Sequence, residues 1–114
     1  MALLFFGSSL SALHAQDYAI HIKINAVPAN HPFDTIYLAG NINNWNPADS
    51  GFACEKIDDH YDLIIPAVKE GNLEFKFTRG SWKKVETTIN AAGIDNRTIS
   101  LHSDTAIEYS IAGW

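Results

Sequence analysis

Two antiparallel β-sheets packed face to face, an all-β fold, are what the sequence predicts, and three observations predict them. Apolar and polar residues alternate with a period of two along most of the chain, turn-forming residues recur at short intervals, and no segment keeps a helical apolar period over the about 12 residues an independent helix needs. Seven to eight short strands punctuated in this way fit an antiparallel sandwich of immunoglobulin-like type, with a small barrel as the alternative.

Taken in order, Tyr18, Ile20, Ile22 and Ile24 alternate with Ala19, His21, Lys23 and Asn25, so the first strand buries one face. After the turn-rich Pro28-Ala29-Asn30-His31-Pro32, Thr35-Ile36-Tyr37-Leu38-Ala39 reads as a second strand, stopped by Gly40 and the Asn-rich stretch to Pro47. Further strands are expected over 52–57, 61–68, 73–79, 85–89, 96–101 and 106–111. Asp58-Asp59-His60, Glu70-Gly71-Asn72 and His102-Ser103-Asp104 supply turns between them. Alternation assigns Ile20, Ile22, Ile24, Leu38, Phe75, Phe77, Ile107 and Ile111 to the core. Cys54 is the single cysteine; with no partner for a disulfide or a zinc site, it reads as a small buried residue.

Residues 1–15 stand apart from this pattern. The apolar run Ala2-Leu3-Leu4-Phe5-Phe6 passes through Gly7, Ser8, Ser9 and Ser11 to Ala15, and resembles the later part of a secretory signal peptide. It is far shorter than the about 20 residues of a bilayer span, so no membrane anchorage is expected. No Lys or Arg precedes the run and Leu13 sits where a small residue is usual; the alternative is a hydrophobic N-terminal segment of a cytosolic protein. The reading gives one domain over 16–114, secreted or periplasmic in a bacterium.

Composition narrows the function. The chain has 114 residues, 46% of them hydrophobic and 18% charged, which suits one globular domain but not a complete catalytic domain of the larger α/β or barrel classes. A net charge of −5 disfavours a nucleic-acid partner, because such binding rests on neutralising phosphates. Glu55, Asp58 and Asp59 lie on turns with no spacing that singles out an acid/base pair. His14, His21, His31, His60 and His102 are scattered without metal-ligand spacing, and Ser81 lacks the surroundings of a nucleophile elbow. No catalytic residue, metal or cofactor is therefore expected. Asn96-Arg97-Thr98 is a formal glycosylation sequon, a short pattern that recurs by chance.

Two tryptophans are more informative. Trp45 lies among Asn and Pro residues and Trp82 among Gly, Ser and three cations, Arg79, Lys83 and Lys84, both in loops rather than in core strands. A glucose ring offers an apolar face of C–H groups and a rim of hydroxyls, so a flat indole can cover the face while Lys and Asn side chains satisfy the rim. The competing reading makes either ring a lid over one end of the sandwich.

The segments Thr35-Ile36-Tyr37-Leu38-Ala39-Gly40-Asn41-Ile42-Asn43-Asn44-Trp45-Asn46-Pro47, Leu73-Glu74-Phe75-Lys76-Phe77-Thr78-Arg79-Gly80-Ser81-Trp82 and Asn96-Arg97-Thr98 resemble, in this order, the starch- and glycogen-binding modules. These are carbohydrate-binding module families 20 and 48, the latter including the glycogen-binding domain of the AMP-activated protein kinase β subunit. The resemblance extends over nearly all of the chain from Asp17. It implies that Trp45 and Trp82 stack on consecutive α-1,4-linked glucoses, with Lys76 and Asn96 hydrogen-bonding sugar hydroxyls. Strand alternation agrees, since Lys76 must point out if Phe75 and Phe77 point in. The wording from Phe77 to Glu86 is also similar to modules found ahead of secreted bacterial esterases, which implies a fused or neighbouring hydrolase or esterase as partner.

The expected function is thus non-catalytic binding of α-glucan: starch, glycogen or a maltooligosaccharide. One site is expected, because a second, loop-borne site would need aromatics in an insertion not seen here; Phe52, Tyr61 and Trp114 are the spare candidates. The alternative function is a structural or protein-contacting sandwich beside a hydrolase, with the tryptophans in a domain interface.

Overall fold

The computed structural model describes residues 16–114, so the signal-peptide reading of 1–15 lies outside the described residues. Seven strands are formed: β1 (Asp17–Ala26), β2 (Tyr37–Gly40), β3 (Glu55–Ile57), β4 (His60–Lys69), β5 (Gly71–Thr78), β6 (Arg97–Leu101) and β7 (Thr105–Ser110). They make a sandwich of two sheets, ordered β3-β4-β1-β7 and β2-β5-β6. The helical elements among the described residues are three-residue 3₁₀ turns. Neighbouring strands pair antiparallel except β1 and β7, which run parallel with Ile22 opposite Ile107.

The alternation seen in the sequence becomes the core. Ile20, Ile22 and Ile24 of β1 are fully buried against Tyr61, Leu63 and Ile65 of β4 and, from the other sheet, Leu38, Leu73, Phe75, Phe77, Ile99 and Leu101. Each such side chain contributes about 1.5–3 kcal/mol when withdrawn from water. Ile111 is buried as expected, whereas Ile107 packs on the core from a half-buried position. Phe75, Phe77 and Tyr109 join the two sheets as an edge-to-face cluster, with centroids 5.4–5.8 Å apart.

On β4 the alternation breaks at Pro66-Ala67, both exposed, and resumes with buried Val68. The ladder absorbs this in a bulge, where Tyr18 and Ile20 face Val68 and Ile65 across an extra residue. Proline, which has no N–H to donate, is tolerated at such an irregularity.

Two expected strands differ. Over 52–57 only Glu55–Ile57 is extended, because Ser50–Phe52 forms a 3₁₀ turn capped by the Asp49 carboxylate, which accepts from the Gly51 N–H. Over 85–89 there is no strand, only single bridges of Val85 with Thr78 and of Thr87 with Gly113. Thr88 turns the chain there: its hydroxyl accepts from the Asn90 and Ala92 N–H groups, and Ile89 is left exposed.

Candidate functional site

Trp45 is set by the loop that leaves β2. The Asn43 side chain folds back on the strand end, its Oδ1 accepting from the Gly40 N–H and its Nδ2 donating to the Leu38 carbonyl, each at 2.9 Å. Asn44 and Trp45 both adopt left-handed backbone angles, φ 55° and 58°. Asn tolerates that conformation; for a bulky aromatic it costs on the order of 1–2 kcal/mol, so the loop must hold Trp45 in place. It does so with the Trp45 N–H donating to the Gly40 carbonyl at 2.8 Å.

Trp82 is set by the turn that leaves β5. Gly80, at φ 106°, takes an angle other residues rarely adopt, and Trp82–Lys84 then forms a 3₁₀ turn. The Arg79 N–H donates to the Lys84 carbonyl and the Lys84 N–H to the Ser81 carbonyl, both at 3.0 Å. Thr78, fully buried at the end of β5, joins the two loops. Its hydroxyl donates to the Pro47 carbonyl at 2.6 Å and accepts from the Gly80 N–H at 3.1 Å.

The two indoles meet with centroids 6.3 Å apart and planes inclined by 41°. Trp82 is 43% exposed, and Trp45 is half-buried. Lys76 lies on the outer face of β5, in register with Ala39 of β2. Phe75 pairs with Arg97 of β6, so one further step of the same antiparallel register sets Asn96 beside Lys76. Among the described residues neither the Lys76 ammonium nor the Asn96 amide has a hydrogen-bond or ion-pair partner, and Asn96 is exposed. Strand register thus gathers Lys76 and Asn96 at one end of the β2-β5-β6 sheet, the end at which both tryptophan loops depart.

No family model matches the chain. Over 76 residues it is 37% identical to an alpha-amylase of Niallia circulans, and over 87 residues 31% identical to an amylopullulanase of Thermoanaerobacter thermohydrosulfuricus. These stretches take in 66% and 72% of this chain but 6% of each enzyme. The similarity is therefore to a small part of two much larger proteins.

Several neighbouring residues take other roles. Arg79, counted by sequence among the cations around Trp82, turns inward; its side chain is 9% exposed, pairs with Asp34 at 2.7 Å and lies over the Trp114 ring at 5.3 Å. Of the spare aromatics, Tyr61 is buried while Phe52 and Trp114 pack partly buried on the core. The exposed aromatic away from the tryptophan pair is Phe33, at 96%, in a loop whose composition gave no hint of it. Among the described residues no group of His, Cys, Asp and Glu is arranged to hold a metal ion, and no helix is long and apolar enough to cross a membrane. Burial, aided by Asp62, pushes the Cys54 thiol up to about 12. A groove of about 400 Å³ between Ile42, Val68, Glu70, Asn72 and Leu101 contains none of the four candidate residues.

Proposed function

We propose that this domain binds α-1,4-glucan without catalysing any reaction on it, through Trp45 and Trp82 with Lys76 and Asn96 at the rim. The observation that carries the reading is the meeting of two inclined indoles, 6.3 Å apart at 41°, with Trp82 open to solvent. An α-1,4 chain curves, and inclined rings follow such a curve where coplanar rings would suit a flat ribbon. The unpaired Lys76 and Asn96 are free to hydrogen-bond sugar hydroxyls. Similarity to small parts of an alpha-amylase and an amylopullulanase, enzymes named for starch-type glucans, supports the same substrate class and a module fused to or beside a hydrolase. Export of the mature domain, with residues 1–15 removed before Gln16, belongs to the same reading.

Stacking on a shallow surface with water-exposed hydrogen bonds gives weak affinity, about 10 µM to 1 mM, or roughly −4 to −7 kcal/mol. Calorimetry with β-cyclodextrin tests it. Wild type binds in that range, and Trp45→Ala and Trp82→Ala bind no detectable ligand while keeping the wild-type far-ultraviolet spectrum. Either variant binding like wild type, or unfolding, makes the rings structural and defeats the proposal.

A further inference from the structure

Glu86 is a carboxylate buried to 1% exposure, four residues beyond Trp82. Its Oε2 accepts from the Phe77 N–H at 2.8 Å, while its own N–H donates to the Phe77 carbonyl at 3.0 Å. Both carboxylate oxygens accept from Arg97: Nη2 donates to Oε1 at 2.7 Å and Nε to Oε2 at 3.0 Å. The guanidinium then reaches the Ser110 carbonyl at 2.9 Å and lies over the Tyr109 and Phe77 rings at 4.9 and 5.4 Å.

The sequence neighbours of these groups give the arrangement its meaning. Phe77 follows Lys76, Arg97 follows Asn96, and Glu86 ends the segment that begins at Trp82. One carboxylate therefore binds together the three chain segments that carry three of the four candidate sugar contacts. Between Glu86 and Arg97 the chain forms no strand or helix, so without the ion pair Asn96 would be tied to Trp82 only through an irregular loop. Burying two charges is a poor way to gain stability, since apolar residues of similar volume often do as well or better. What the fork of an arginine on a carboxylate supplies is fixed geometry.

We propose that Glu86 and Arg97 are positioning residues for the glucan site, fixing where Asn96 and Lys76 stand relative to Trp82. The proposal rests on the functional reading above. Arg97 needs its bidentate geometry and not merely its charge, and Glu86 needs its carboxylate.

The test combines β-cyclodextrin calorimetry with urea unfolding. In Glu86→Gln/Arg97→Met the glutamine oxygen still accepts from the Phe77 N–H, but the ionic fork is gone. This variant is expected to fold and to bind about tenfold more weakly than wild type, and adding Asn96→Ala to it costs nothing further, although Asn96→Ala alone weakens wild type. Affinity within about twofold of wild type, or an Asn96→Ala loss equal in both backgrounds, overturns the proposal. If the double variant does not fold, Arg97→Lys decides: a point charge without the fork loses affinity if the proposal holds and binds as wild type if it does not. A wild type that binds no α-glucan defeats the functional reading itself and this proposal with it; a binding wild type leaves the variants to judge the ion pair alone.

Discussion

Replacing Thr78 by valine keeps the shape of a fully buried side chain and removes one hydroxyl. Two hydrogen bonds go with it, the donation to the Pro47 carbonyl at 2.6 Å and the acceptance from the Gly80 N–H at 3.1 Å. An orphaned buried polar group costs about 1–3 kcal/mol, and because Pro47 and Gly80 are only half-buried, water recovers part of it, giving about 2 kcal/mol in all. For a domain of this size each kcal/mol lowers Tm by about 4–8 °C, so the expected fall is roughly 8–16 °C. Urea unfolding followed by fluorescence should show a lower midpoint with an unchanged slope, which marks a stability change without a change in compactness. Both loops that end at these bonds carry a tryptophan, so exciton coupling between the indoles should weaken and β-cyclodextrin affinity should fall with it. Thr78→Ser, which keeps the hydroxyl, should retain the coupling. A valine variant within about 0.5 kcal/mol of wild type, with its indole coupling intact, would refute the claim that this hydroxyl ties the loops together.

At Gly40 a Cβ would collide with the Glu74 carbonyl and come within 2.8 Å of the Phe75 Cβ, so Gly40→Ala should lose about 3 kcal/mol or fail to fold, as thermal unfolding will register. The Cys54 thiol, raised to about 12 by burial, should resist alkylation at neutral pH until the chain is unfolded. Because the folded state keeps this proton while an unfolded thiol loses it above about 8.5, stability should be fully present below that pH and fall as pH rises toward 12; Cys54→Ala should flatten the decline. Lys76→Ala should weaken β-cyclodextrin binding by less than either tryptophan variant, since stacking on the aromatics carries most of the energy, and calorimetry ranks the three directly.

Where one residue's environment follows from its neighbours in sequence, the structure was readable in advance. The triad Ile20, Ile22, Ile24 and the pair Phe75, Phe77 declared their faces by alternation alone, and Lys76 was assigned outward for the same reason. The failures lie where a polar group decides. Glu86 breaks the apolar pattern of 85–89 because it turns inward to Arg97, a partner whose distance along the chain no local pattern reveals. Arg79 looked like a surface cation beside Trp82, yet Asp34 and Trp114 hold it inside. Thr78 carried a faint signal, a β-branched hydroxyl between an aromatic-Lys-aromatic strand and Arg-Gly, but its bond to Pro47 spans the sandwich sequence. The parallel match of β1 with β7 was invisible because alternation is blind to strand direction.

That parallel match has a mechanical consequence. Since β1 and β7 point the same way, the described chain enters the domain at one pole and leaves it at the other. A pull on the two ends slides the strands past each other, so the load falls on the whole row of interstrand hydrogen bonds at once. An antiparallel terminal pair would bring both ends to one pole and open like a zipper, one bond after another. Inserted in a longer polypeptide, this sandwich is an in-line link able to carry tension between an anchored polysaccharide and whatever follows it.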